Sequence, residues 1–77
     1  METQAISKKL KELEQAVEEA KRSGTVYRPE HKGFDIAIYG AQIEPLIKEL
    51  DLIEREMSQQ QKQRFVSLKE QVKRELP

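Results

Sequence analysis

The sequence has no cysteine, no tryptophan and a single histidine, His31. Without cysteine the chain can form neither a disulfide framework nor a thiolate metal site, and one histidine cannot build a zinc site within one chain. The three glycines fit neither a phosphate-binding loop nor a dinucleotide-binding turn, and no EF-hand loop is present. We therefore expect no metal ion and no cofactor.

The pattern of reactive residues is equally sparse. Ser23 and Thr25 lie near His31 in the sequence, but no nucleophile elbow or oxyanion-hole glycine motif surrounds them. Paired carboxylates need an enclosing cleft to shift their pKa values, and a chain of 77 residues rarely provides one. We expect no catalytic residues and a protein that is not an enzyme.

Long hydrophobic runs are missing as well. No apolar run approaches the roughly 18 residues that a membrane-spanning helix needs. The first residues lack the apolar region of a secretory signal, and neither end carries a lipidation motif. We expect no membrane association and a cytoplasmic protein.

The residues that are present favour helices. Apolar and charged residues each make up 36% of the chain, which is typical of a helical bundle or coiled coil rather than a compact α/β domain. The length allows a single helical domain, residues 1–77. A domain this small buries only about 60% of its unfolded surface, so self-association would help to cover its apolar stripes.

A first helix is predicted over about residues 3–22. Its apolar residues recur at alternating steps of four and three, and most other positions are Lys, Glu or Gln. Lys21 and Arg22 suit the carboxyl end of a helix, and Gly24 supplies a stop signal. The apolar stripe consists of Ile6, Leu10, Leu13, Val17 and Ala20.

A second helix is predicted over about residues 35–57, with Asp35 as its N-cap and Phe34 packed on Tyr39 as a hydrophobic staple. Pro45 then lies in the helix interior and should kink it, at a cost of about 3 kcal/mol. The apolar stripe of this helix, at steps of three and four, consists of Ile36, Tyr39, Ile43, Leu46, Leu50, Ile53 and Met57.

The beginning of this segment also fits a strand. Apolar and other residues alternate over residues 34–39, so this stretch can pair with Thr25–Arg28 in a β-hairpin at about 25–39. In that alternative the helix starts near Ala41, and Pro45 falls harmlessly in its first turn.

A third helix is predicted over about residues 59–76. Ser58, followed three residues later by Gln61, forms a capping-box pattern at its start. The apolar stripe consists of Phe65, Leu68, Val72 and Leu76.

These segments predict an all-α fold, a small three-helix bundle in which the second and third helices form a helical hairpin with coiled-coil-like packing. Residues 35–57 carry six acidic and two basic residues, whereas residues 58–77 carry five basic and two acidic ones. Opposite charge favours antiparallel packing of these two helices, although exposed ion pairs contribute only about 0–1 kcal/mol each. The alternative is an α+β fold with the short hairpin at about 25–39.

Two features are candidates for binding a partner. The loop between the first two helices is rich in aromatic and basic residues, the types that anchor interfaces. The second helix carries apolar residues opposite its main stripe, spaced seven apart at Ile38, Pro45 and Leu52, and a helix with two apolar faces can offer one to a partner. The predicted partner-binding residues are Tyr27, Arg28, His31, Lys32, Phe34, Ile38 and Leu52.

We therefore expect a non-enzymatic protein-interaction protein, an adaptor or regulator that forms a homodimer through apolar helix faces and binds a protein partner. A nucleic-acid-binding accessory protein is the alternative, because the third helix is basic. A structural subunit of a larger assembly is a third class. The bases of the third helix are Lys62, Arg64, Lys69, Lys73 and Arg74.

Overall fold

The computed structural model describes residues 3–27 and 34–76, and the side chains of residues 4–24 and 34–76. Throughout these ranges the regular secondary structure is helical, and the helices pack into an elongated bundle of about 41 × 18 × 16 Å. The predicted all-α three-helix bundle is confirmed.

The first helix, α1, spans Thr3–Tyr27 and is longer than the sequence predicts. The expected stop at Gly24 is wrong, because the helix continues through this glycine, which is buried. The last turns of α1 support the start of the next helix: the Asp35 amide donates to the Ala20 carbonyl at 3.0 Å. This packing outweighs the cost of about 1 kcal/mol that a glycine adds inside a helix.

The central helix, residues 36–52, consists of α2 (Ile36–Ile38), a π-helical turn (Tyr39–Ile43) and α3 (Glu44–Leu52). Asp35 is its N-cap, as predicted, and its Oδ1 accepts from the amides of Ala37 and Ile38 at 3.0 and 3.2 Å. The predicted staple is also present, with the Phe34 and Tyr39 rings 6.5 Å apart between centroids. The alternative hairpin is wrong, because both α1 up to Tyr27 and the residues from Ile36 onward are helical.

The π-helical turn accommodates Pro45, the residue at which the sequence predicts a kink. In this turn the Glu44 amide donates to the Tyr39 carbonyl, five residues earlier instead of four. A proline lacks an amide hydrogen and clashes with the preceding turn of a regular α-helix. The wider turn lies just before Pro45, which occupies the first turn of α3, where a missing donor is tolerated.

The extra residue in the turn changes which side chains face the core. One residue corresponds to about 100° of rotation, so the residues before the turn are rotated relative to those after it. Ile36, predicted to lie on the core stripe, is 52% exposed. Ile38, predicted to lie opposite that stripe, is half-buried and packs against the core, as does Tyr39.

The chain reverses between the central helix and the last one. The predicted helix to residue 57 ends earlier, because α3 stops at Leu52 and is followed by a 3₁₀ turn at Glu54–Glu56. The last helix, α4, spans Gln59–Glu75. The predicted capping box is confirmed. The Gln61 backbone amide donates to Ser58 Oγ at 3.2 Å, and the Ser58 backbone amide donates to Gln61 Oε1 at 2.9 Å.

One core runs the length of the bundle and is built from all three helices. Every residue of the α1 stripe is less than 2% exposed, and the buried face of α4 is the predicted one. The buried apolar side chains are Ile6, Leu10, Leu13, Ala16, Val17, Ala20, Phe34, Ile43, Leu50, Met57, Phe65, Leu68 and Val72.

Polar contacts between the helices fix their alignment. Gln61 Nε2 donates to Ser7 Oγ at 2.9 Å, which joins the beginnings of α4 and α1. Charged pairs then link α1 to both other helices, and one pair links α3 to α4. They are Arg64–Glu14 at 2.9 Å, Lys9–Glu49 at 2.6 Å and Lys69–Asp51 at 3.1 Å. The acidic central helix and the basic α4 are therefore joined directly by one of these pairs, Lys69–Asp51, while the other two pairs involve α1.

Candidate interaction surface

The outer face of the central helix carries a row of exposed apolar residues, which we call the apolar strip. On an α-helical wheel its members after the π-helical turn lie opposite the buried Ile43 and Leu50. Leu52 is the most exposed large apolar side chain among the described residues, at 81%. The apolar strip consists of Ile36, Ala37, Gly40, Ala41, Pro45 and Leu52.

The middle of the apolar strip is flat. Gly40 is exposed, and a Cβ atom added there would meet nothing within 4 Å. Ala37 and Ala41 beside it are also exposed and small. A surface without side-chain bulk lets the backbone of another helix approach closely.

A single charged side chain, Lys48, lies within the line of the apolar strip. Its Nζ is 3.1 Å from Glu44 Oε1, one turn earlier on the same helix, and the Lys48 side chain remains 74% exposed. The other charged residues of the helix lie at the sides of the apolar strip. Those sides are acidic, with Glu49 and Asp51 exposed.

The predicted site residues are placed very differently from one another. Phe34 is buried at 7% exposure and packs on Tyr39, so its ring belongs to the core of this chain. Ile38 also packs against the core, whereas Leu52 is exposed. The structure therefore does not place Ile38 and Leu52 on one exposed back face, because the π-helical turn separates their orientations.

The remaining predicted residues lie at the end of α1 or follow it in the sequence. Tyr27 is the last residue of α1, and its side chain lies outside the described ones. Arg28, His31 and Lys32 lie outside the described residues altogether. Their role in binding stays a prediction.

The sequence reasoning missed Ile36 and Gly40 as surface residues. The signal that could have found them is Pro45, because a proline inside a helical pattern must disturb the hydrogen bonds of the preceding turn. A π-helical turn is one way to do so, and it exchanges the predicted positions of Ile36 and Ile38.

The outer face of α4 offers a weaker candidate surface. An open groove there contains one exposed apolar side chain, Val66, at 42% exposure. The other lining residues are polar or charged: Gln59, Lys62, Gln63, Ser67 and Glu70. A scattered apolar residue of this kind is ordinary on a protein surface.

Some basic residues of α4 form ion pairs with acidic residues of neighbouring helices. Arg64 pairs with Glu14, and Lys69 pairs with Asp51. Lys69 Nζ also lies 4.3 Å from the centre of the Phe65 ring, where a cation is attracted by the aromatic face. Two of the five bases therefore already have acidic partners within the bundle.

Asp35 is the titratable group with a distinct environment in the described part of the chain. The Ser23 hydroxyl donates to Asp35 Oδ2 at 2.6 Å. This bond, followed by those from the amides of Ile38 and Ala37, lowers the pKa of Asp35 below its ordinary value of 3.8. The carboxylate thus joins the end of α1 to the start of the central helix, which is a structural role.

Chemistry that depends on clustered ligands finds no support in the described ranges. Within residues 3–27 and 34–76, no three His, Asp or Glu residues are grouped so that they could hold a metal ion. In the same ranges no helix is long and apolar enough to cross a membrane.

Comparison with protein-family models, with curated proteins and with solved structures found no match to this chain.

Proposed function

We propose that this protein is a non-enzymatic protein-interaction module, an adaptor or regulator that binds an apolar helical surface through the apolar strip. The observation that carries the proposal is Leu52, a leucine 81% exposed at one end of an apolar row. Single exposed apolar residues are common, but a row of them on one helix face is a feature of interaction sites.

The apolar strip is separate from the residues that stabilise the bundle. The core is filled by the opposite face of the central helix, by α1 and by α4. Changing Leu52 therefore alters the surface that the module offers without removing a core contact. This separation favours a role in binding over a role in folding.

The chemical nature of the partner follows from the shape of the apolar strip. Its small central residues, Gly40 and Ala41, favour a rod-like element that can approach the backbone in the middle of the row. An amphipathic helix that docks its apolar face has this shape. We place this activity in the cytoplasm, on the sequence grounds given above.

The nucleic-acid alternative has less support. Phosphate binding needs several bases directed to one surface. Arg64 and Lys69 are instead paired with acids on neighbouring helices. If this alternative were correct, the chain would shift DNA or RNA at low salt, and Lys69→Glu with Lys73→Glu would abolish the shift.

The proposal is tested by comparing what the tagged chain captures in its native cell with what surface variants capture. Leu52→Glu and Ile36→Glu place a charge at either end of the apolar strip. Val66→Glu is the matched control, because Val66 is an exposed apolar residue on α4. Circular dichroism and thermal unfolding establish that all three variants fold.

We expect the wild-type chain and Val66→Glu to capture the same proteins, among them further copies of the chain itself if it self-associates. Both apolar-strip variants should lose those proteins, because a charged side chain facing an apolar partner loses its hydration. If Leu52→Glu and Ile36→Glu retain the same proteins as the wild type, the apolar strip is not the binding surface and the proposal is wrong.

A further inference from the structure

We propose that the apolar strip binds the same strip on a second copy of this chain, with the two central helices antiparallel and Ile36 of each copy packed against Leu52 of the other. This inference rests on the proposed function, and it specifies the partner and the register. A two-fold symmetric dimer requires a surface that is complementary to itself. Three properties of the apolar strip meet that requirement.

The first property is the distribution of bulk along the strip. Ile36 and Leu52 are 52% and 81% exposed and stand at its two ends, with small residues between them. Sixteen residues of helix separate them, a distance of about 24 Å. In an antiparallel pair with the two-fold axis near Glu44, Ile36 of each copy therefore meets Leu52 of the other copy.

The second property is the fit of Lys48. At the same register Lys48 of one copy lies opposite Gly40 of the other, where a Cβ atom would meet nothing within 4 Å. The open space above this glycine leaves room for the exposed stem of the lysine. A parallel arrangement would instead place Lys48 beside Lys48 and Gly40 beside Gly40.

The third property is charge. Lys48 already pairs with Glu44 in its own chain. At the antiparallel register it also lies about one helical turn from Glu44 of the second copy. The two lysines and two glutamates near the axis sum to zero charge, so the pairing buries no net charge.

A lipid surface fits the same strip less well. Amphipathic helices that bind membranes carry basic residues beside their apolar face. The apolar strip is bordered by Glu49 and Asp51, so the central helix offers no basic border to attract anionic headgroups. The central helix therefore favours a protein surface over a membrane.

The size of the strip sets the expected affinity. One helix face of about 24 Å by 10 Å is much smaller than the roughly 800 Å² per partner of a standard stable interface. We therefore expect a weak dimer, with a dissociation constant between about 10 µM and 1 mM. Sedimentation equilibrium of the full chain up to about 1 mM measures it, and a monomer throughout that range overturns the inference.

Disulfide trapping tests the register, and the absence of native cysteine makes it unambiguous. Ile36→Cys and Leu52→Cys are prepared as separate single variants and oxidised alone or mixed in equal amounts. Disulfide formation requires Cα atoms within about 7 Å. We expect the mixture to form a heterodimeric disulfide at least about tenfold faster than either variant alone, because like positions lie about 24 Å apart in the antiparallel dimer.

Faster formation of the Ile36→Cys or Leu52→Cys homodimer would show another register and overturn the inference. So would equal rates for all three products. Both positions are exposed, so the substitutions leave the core contacts in place.

A charge exchange gives an independent readout. Ile36→Glu and Leu52→Lys should each weaken dimerisation at least about tenfold, because each places a charge against an apolar side chain. The double variant places Glu against Lys at both ends and should return to within a few-fold of the wild type. If the double variant is weaker than either single variant, the proposed contact is wrong.

These results separate the inference from the proposed function. The chain could be monomeric at about 1 mM and still capture another protein, with Leu52→Glu abolishing that capture. This result would rule out a second copy as the partner, and the apolar strip would remain the binding surface. If Leu52→Glu and Ile36→Glu dimerise as the wild type does, the apolar strip is not the dimer contact and the inference is wrong. The capture experiment then decides the proposed function separately.

Discussion

The buried Gln61 should contribute more to stability than its polar side chain suggests, and replacing it tests how the bundle ends are joined. Its side chain is 7% exposed, accepts a hydrogen bond from the Ser58 amide at 2.9 Å and donates one to Ser7 Oγ at 2.9 Å. The first bond completes the cap of α4, and the second connects α4 to α1. Gln61→Ala removes both.

The expected loss follows from these two bonds. Each contributes about 1 kcal/mol on average, and the lost side-chain burial adds to it, so we expect a decrease of about 2–3 kcal/mol in the free energy of unfolding. A domain of 77 residues has a total of about 4–12 kcal/mol. The midpoint of thermal unfolding should therefore fall by about 8–24 °C.

Gln63→Ala is the matched control. Gln63 lies on the same helix two residues later and is exposed, so the same change in helix propensity occurs without loss of buried contacts. Urea unfolding followed by circular dichroism gives both free energies. A difference of less than about 0.5 kcal/mol between the two variants would refute the assignment.

A double-mutant cycle isolates the bond between the helices. Ser7→Ala is combined with Gln61→Ala, and the free energies of all four proteins are compared. We expect a coupling energy of about 1 kcal/mol, because the two side chains are in direct contact. Additive effects would show that the contact contributes nothing to stability.

Three further measurements test other parts of the fold. Phe65→Ala should cost about 3–5 kcal/mol because Phe65 is fully buried, whereas Val66→Ala should stay within about 0.5 kcal/mol, and urea unfolding compares the two. Ser58→Ala should cost about 1 kcal/mol through loss of the N-cap, and the exposed Ser67→Ala should show no such loss in the same assay. Because the pKa of Asp35 is lowered in the fold, its carboxylate stabilises the folded state above pH 3.8, and this effect is lost as the pH falls through the lower native pKa. Asp35→Asn should therefore remove that part of the pH dependence of the free energy of unfolding. An unchanged pH dependence between pH 5 and pH 2 would contradict this.

The local signals in the sequence were reliable where short-range chemistry decides the structure. Ser58 and Gln61 form a capping box from residues that lie within one turn, and Asp35 caps the central helix through its own neighbouring amides. The stripe of α1 and that of α4 follow regular helical spacing, so their buried faces were predicted.

The candidate surface was predicted less well. The position of Leu52 opposite the stripe predicts an exposed residue, and Leu52 is exposed. A regular helix would place Ile38 on the same face, but the π-helical turn interrupts that regularity. Ile36 and Gly40, which complete the apolar strip, could not be assigned to the surface without the position of this turn.

The sequence by itself determined the class of fold, the caps of the last two helices and the buried faces of α1 and α4, because each depends on periodicity or on residues a few positions apart. The tertiary structure decided the features in which local preferences conflict. The segment around Asp35 packs on the end of α1, which continues through Gly24. One wider, π-helical turn accommodates Pro45, which has no amide hydrogen to donate. That turn rotates the start of the central helix by about 100° relative to its end, and this rotation decides which of its apolar residues fill the core and which remain exposed.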